Sequence, residues 1–146
     1  MKLKKIIILL FTLILLTACS ETTINDYKFS GESVHWEADY SYKGTEKWGE
    51  KGGVKTYSNE DGYEFVLRYK GALEELSSLK KLEYSYETTF SSGTSTEEFT
   101  EPPSKAAFLS SGKSKGGAKV REDEVIKVNV KWDEFEESFE LHNNDN

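Results

Sequence analysis

Val34, Trp36, Ala38, Tyr40 and Tyr42 stand at every second position, opposed by His35, Glu37, Asp39 and Ser41. Successive side chains of an extended chain point to opposite faces, so this spacing describes a strand with one apolar and one wet face. The period returns in Tyr63, Phe65, Leu67 and Tyr69, in Leu82, Tyr84 and Tyr86, and in Ile126, Val128, Val130 and Trp132. Tyr27 and Phe29 begin the series, and residues 136–141 fit a hairpin partner for its last strand. Weaker strands suit residues 54–57 and 106–110. Glycine- and charge-rich segments at 44–53 and 112–119 read as loops, Asn59, Asp61 and Gly62 as a turn, and 88–105, with Pro102-Pro103, as a long mobile loop. Leu73, Leu76 and Leu79 recur every third residue, which predicts one or two helical turns crossing between sheets. One-sided strands of this kind bury their faces as two packed antiparallel sheets. The expectation is a single immunoglobulin-like β-sandwich over residues 27–142, with a small barrel as runner-up.

The chain holds one cysteine, Cys19. It follows Lys2, Lys4 and Lys5 and an apolar run over residues 6–16, interrupted only by Thr12. That run is too short for a stable membrane-spanning helix but suits the apolar region of a secretory signal. Leu16-Thr17-Ala18-Cys19 then resembles the lipobox of bacterial lipoproteins. The resemblance implies a signal peptide over 1–18, cleavage after Ala18, and lipid on the Cys19 sulfur. It also implies a membrane-anchored chain on the extracytoplasmic face. After Cys19 the stretch to residue 26 is short and polar, so 19–26 read as a tether, and 143–146 read as a disordered tail.

With Cys19 lipidated, no thiol remains for a disulfide, and the exported domain must hold together by burial alone. About 128 residues remain after cleavage, enough for one ordinary core. Three lysines leave with the signal, so the formal charge falls from −7 to −10. A domain this acidic does not attract nucleic acid and is repelled by an anionic membrane, so lipid must supply the attachment.

The segments FSGESVHWEADY, RYKGALEEL and EVIKVNVKWDEFEESFEL resemble a group of small uncharacterised lipoproteins of Gram-positive, Bacillus-type bacteria. The likeness covers most of the mature chain, rests on loose motifs that largely describe strands, and implies location and fold. It implies no catalytic residues.

Catalysis finds little to build on. His142 lies near the chain end, and His35 on the wet face of a strand. A Ser-His-Asp set can be assembled on paper from His35, but nothing marks a nucleophile turn. Neighbouring acids such as Glu136-Glu137 point to opposite faces of a strand and share no site. Asn59, Asp61 and Gly62 echo the middle of a calcium loop, yet its first ligand would fall on Tyr57 and its bidentate glutamate on Arg68. Residues 121–124 offer carboxylates that read as a solvated turn. The expectation is no enzyme, no metal and no cofactor.

Binding surfaces remain. Trp36, Tyr40, Tyr63, Phe65, Tyr84 and Trp132 are expected to fill the core. Trp48 has no pattern pointing it inward; it is either a lid folded on the sandwich edge or an exposed anchor for a partner. Lys113, Lys115, Lys119 and Arg121 form a basic cluster, either a solubilising loop or a contact for phosphate-bearing wall or lipid polymers. Two function classes follow. One is a non-catalytic envelope protein that binds a protein or wall polymer. The other is an envelope enzyme or metal carrier with a hidden site. Carboxylates converging on His35 would favour the second, and an exposed Trp48 the first.

Overall fold

Alternation carries farther along the chain than its glycines suggest. The computed structural model describes residues 20–144. Strand β1 spans Glu21–Glu32, β2 Trp36–Lys51, β3 Val54–Tyr69, β4 Lys81–Glu87, β5 Ser92–Glu98, β6 Ala107–Lys115, β7 Ile126–Trp132 and β8 Phe135–Asn143. A 3-10 turn, Leu73–Leu76, crosses between β3 and β4 and buries Leu76, as the leucine spacing predicts.

Among the described residues every strand pairing is antiparallel, in the order β5-β4-β7-β8-β1-β2-β3-β6. The sheet curls on itself into a nearly closed barrel. The all-β expectation holds, but the pairing does not give two separately bonded sheets. The halves β5-β4-β7-β8 and β1-β2-β3-β6 are joined through β1 and β8, at the pairs Phe29↔Asn143 and Ser30↔His142. Gly31 permits that join: a Cβ there would run into the Glu140 carbonyl.

Several boundaries differ from the sequence reading, for identifiable reasons. The expected tether is largely strand, because residues 21–26 pair with residues 43–48 of β2. The expected loop over 44–53 is mostly strand, turned by Gly52-Gly53 at φ +58° and +79°, the left-handed values of a tight primed hairpin turn. The expected mobile loop over 88–105 contains β5, a polar edge strand with little apolar content to reveal it. β6 extends to Lys115, into the expected loop. Asn143, assigned to the tail, is buried at the end of β8, and the Asn144 amide donates to the Lys28 carbonyl at 2.9 Å. Val34 is exposed because residues 33–35 form the β1–β2 turn, closed by the Ser33 amide on the Trp36 carbonyl at 2.7 Å.

The core lies between the halves. Trp36, Phe29, Phe65, Leu67, Phe108, Leu82, Tyr84, Ile126, Val130 and Leu141 are all buried. Trp36 meets Tyr69, Trp132 and Phe108 at ring-centroid distances of 5.1, 5.6 and 6.2 Å. Trp132, expected in the core with Trp36, is only partly buried; its outer side stacks on exposed Phe135 at 5.6 Å.

Candidate functional site

The inner face of the β2–β3 ladder changes character in steps. Its cross-strand pairs run Trp36↔Tyr69, Ala38↔Leu67, Tyr40↔Phe65, Tyr42↔Tyr63, Gly44↔Asp61, Glu46↔Asn59 and Trp48↔Tyr57. The first three pairs are apolar core. Next comes a tyrosine belt: Tyr40, Tyr63 and Tyr86 hold their rings about 5.4–5.5 Å apart in each pairing, and Tyr27 stacks on Tyr42. Glycines make room for these rings. Gly112 lies opposite Tyr63 and Gly93 opposite Tyr86, and a Cβ on Gly112 would come within 2.6 Å of the Tyr63 ring.

Burial is the largest cause pushing the phenols of Tyr40, Tyr42 and Tyr86 upward, Tyr42 to about 12; Asp61 adds to the effect at Tyr40 and Tyr42. Those three phenols are therefore neutral at physiological pH. The Tyr42 hydroxyl and one Asp61 carboxylate oxygen, Oδ2, are buried without a hydrogen-bond partner among the described residues. The Val120 amide favours the Tyr42 phenolate but falls short of a hydrogen bond. The other Asp61 oxygen accepts from Ser114 Oγ at 2.7 Å.

Beyond the belt the interior is charged. Glu46, only 8 % exposed, accepts from Asn25 Nδ2 at 3.1 Å and from the Tyr57 hydroxyl at 2.8 Å, and pairs with Lys119 Nζ at 2.9 Å. Hydrogen bonds from Lys119 first, and Tyr57 second, hold its carboxyl below the usual range. The β6–β7 connection is thereby strapped across the barrel end. Asn59 pins it twice: its carbonyl accepts from the Gly116 amide at 3.0 Å, and its Nδ2 donates to the Gly117 carbonyl at 2.8 Å. Val120 plugs the core beneath, and Glu124 is buried where it accepts from the Thr89 amide at 2.7 Å.

Past this strap β2 and β3 continue, flanked by β1 as far as Glu21 opposite Trp48, and Trp48 and Tyr57 stand at the inner side with ring centroids 4.4 Å apart. Trp48 is 48 % exposed and Tyr57 45 %. Trp48 is thus neither a loop residue nor a closed lid. It stands in a strand, at a fixed register, half in solvent.

The basic cluster disperses. Lys119 belongs to the Glu46 network, Lys115 pairs with Glu60 at 2.9 Å, and Arg121 pairs with Asp123 at 2.6 Å. Lys113 stands on the outer face, where Asp26, Lys43, Gly62 and Lys113 form one cross-strand row. The missing side chain at Gly62 leaves an open groove of about 720 Å³ there. Its flanking charges are mixed, with Glu60 and Glu64 beside the two lysines, so it presents no single-sign surface.

Among the described residues one carboxylate is hydrogen-bonded to His35, and the field of the imidazole also reaches Glu75. The His35 Nδ1 lies 2.5 Å from Glu137 Oε1, while Glu137 Oε2 accepts from Ser33 Oγ at 2.5 Å and from the His35 amide at 3.1 Å. Burial raises the Glu137 pKa, but hydrogen bonds from His35 and Ser33 outweigh it and hold the carboxyl below its ordinary value. The carboxylate sits between serine and imidazole, so Ser33 does not meet the base that a hydrolytic triad requires. Among the described residues no three His, Cys, Asp or Glu side chains converge as a metal site.

Cys19 and Ala18, the proposed lipidation and cleavage positions, lie outside the described residues. No protein-family profile, characterised protein or solved structure matches the chain.

The residues that sequence reasoning missed are Asn25, Glu46, Tyr57 and Asn59. A signal was present: Gly44, Glu46 and Trp48 continue the even-numbered period of Trp36 to Tyr42, and Tyr57, Asn59 and Asp61 lead into Tyr63.

Proposed function

We propose that the protein is a membrane-anchored extracytoplasmic lipoprotein, held by lipid on Cys19, that acts by binding rather than by catalysis and presents the Trp48–Tyr57 end of its β2–β3 ribbon as the contact surface. The observation that carries this is the aromatic pair itself. Two large rings are left half in solvent on a ribbon whose base is fixed by the Glu46–Lys119–Asn25 network. Rigid aromatic side chains bury contact area at small entropic cost and dominate binding hot spots. Burial of Glu46 under a paired lysine supports the same reading, since it stiffens the platform that Trp48 stands on.

The competing reading, an envelope enzyme or metal carrier, needs several groups converging on His35. Among the described residues Glu137 is the carboxylate hydrogen-bonded to it, shared with Ser33, and Glu75 is felt only through its field. For the fold, we favour a nearly closed barrel over an immunoglobulin-like sandwich; the sandwich keeps support only from the narrow β1–β8 join.

The test uses the full chain in its own membranes. Wild-type protein is expected to incorporate labelled fatty acid and to be cut, while Cys19→Ser leaves uncut, unlabelled precursor. Contact through the ribbon is read by photo-crosslinking from position 48. Unchanged processing and labelling in Cys19→Ser would sink the anchoring half of the proposal. Absence of any crosslink from position 48, to protein, polymer or lipid, would sink the binding half.

A further inference from the structure

The register of β1 fixes where the ribbon end lies relative to the start of the described chain. Glu21 pairs with Trp48, and β2 runs on past that pair through Lys51 to the Gly52-Gly53 turn, in the direction from which β1 arrives. Three more residues of strand carry the ribbon about 10 Å beyond the Glu21 pair. Cys19 is two residues upstream of Glu21, a reach of at most ~7 Å. An attachment made through Cys19 would therefore act within that reach of Glu21 and of its partner Trp48.

The chemistry of that end differs from the rest of the molecule. Residues 47–58 carry Lys47, Lys51 and Lys55 against Glu50, and with Glu21 opposite Trp48 the end still holds three cations to two acids on a chain of net charge −7. Among the described residues none of these three lysines makes an ion pair, although the field of Lys47 reaches Glu60. Lys115, Lys119 and Arg121 are each neutralised by a neighbouring carboxylate. Trp48 and Tyr57 share one face of the ribbon with Lys55, while Lys47, Lys51 and Val54, which is 66 % exposed, stand on the other, so the tip carries rings or apolar surface and lysines on both sides. Tryptophan and tyrosine favour the headgroup level of a bilayer, and lysines near an anionic leaflet each add attraction that falls off within a Debye length.

We infer that the β2–β3 ribbon end docks on the anionic bilayer surface in which the chain is anchored, with Trp48, Tyr57 and Val54 at the headgroup boundary and Lys47, Lys51 and Lys55 over the lipid phosphates. This rests on the reading of Cys19 as the membrane attachment point. It refines the expectation of repulsion: the acidic bulk faces away while a basic, aromatic tip faces the lipid. Attachment at Cys19 and contact at the ribbon together make two fixed points, which set the tilt of the barrel on the surface.

The experiment reads tryptophan depth in the full chain, purified from membranes and reconstituted into phosphatidylcholine vesicles with and without phosphatidylglycerol. The expected result is a blue-shifted emission component, quenched by lipids brominated on their acyl chains and shielded from iodide. Trp48→Phe should abolish that component. Changing Lys47, Lys51 and Lys55 together to Gln should weaken the quenching on phosphatidylglycerol vesicles, and leave phosphatidylcholine vesicles unaffected. Identical bromolipid quenching in wild type and Trp48→Phe, or full iodide access to Trp48 on both vesicles, would overturn the inference. So would a position-48 photo-crosslink that goes to protein rather than lipid.

Lipid labelling of Cys19 is scored on the same preparations. Labelled protein without Trp48 quenching defeats the docking and spares the anchor. Quenched Trp48 on unlabelled protein defeats the lipid anchor and leaves the docking standing.

Discussion

At the Trp36 end of the β2–β3 ladder, rings close over one another and water is excluded; at the Trp48 end, the same two strands surround a glutamate, two asparagines and a lysine. Both ends alternate faithfully and both are antiparallel ladder throughout. What differs is the cover. The Trp36 end faces β4 and β7, whose Tyr84, Tyr86, Val130 and Trp132 complete the core. The Trp48 end outruns those seven-residue strands, and a connecting strap replaces them. A strand face thus records what lies opposite it. Where a sheet does, it is hydrophobic; where a loop does, it must offer hydrogen bonds to loop backbone, because buried carbonyls and amides need partners.

That contrast can be broken most strongly at the dry end. Trp36→Ala is expected to cost ~3–5 kcal/mol, a large share of the stability of an ordinary domain. Trp48→Ala is expected to cost ~1 kcal/mol or less, since its ring is half exposed and loses mainly one aromatic contact. Denaturant midpoints of the two variants measure the difference; equal losses would make the ribbon end part of the core.

At the polar end the larger effect is expected from Asn59→Ala. It removes the hydrogen bond to the Gly117 carbonyl and loosens the strap, at a cost of ~0.5–1.5 kcal/mol, because the exposed Gly117 can turn to water instead. Amide hydrogen exchange should show faster opening confined to residues 116–125, with the β4–β7 core unchanged. Uniform acceleration would mean that the strap and core open as one unit.

Much of the dry end was legible. Trp36, Tyr40, Phe65, Tyr84 and Val130 carry a period of two that nothing else explains, and all are buried. The polar end was not, because the residues that suit a loop cover are also those that suit a loop. Gly44 and Glu46 read as breaker and surface charge; in the fold, the glycine lies beneath the Tyr42 ring and the glutamate is the hub of a network. Lys119 looked like one of four free cations until its partner, 73 positions earlier in the chain, was brought beside it. No local pattern encodes that pairing. Trp48 was conspicuous in sequence, but its strand register, which puts it opposite Glu21, depends on β1 extending through the expected tether.

A smaller and pH-dependent effect separates the ends further. The Glu46 pKa lies below its unfolded value, so its contribution to stability is present above the unfolded pKa and is lost as pH falls through the depressed one. Wild type is therefore expected to exceed Glu46→Gln in stability at neutral pH and to converge with it in acid, as followed by melting temperature from pH 7 downward. Parallel curves would show that the carboxylate charge is not what fixes the strap. The smallest effect belongs to Lys115→Gln, expected to leave the denaturant midpoint close to that of wild type, with any difference fading with salt, because its pair with Glu60 is solvent-exposed.

The long pairing of β1 against β2 also decides how the domain bears tension. Twelve residue pairs hold β1 to β2, from Glu21↔Trp48 to Glu32↔Glu37. A pull on the N-terminal segment acts along β1, so the rungs of that ladder are loaded side by side, in shear, rather than peeled open one at a time. A tug from that side meets the full length of the β1–β2 ladder, whereas the join between β1 and β8, only two pairs long, is the seam that yields first.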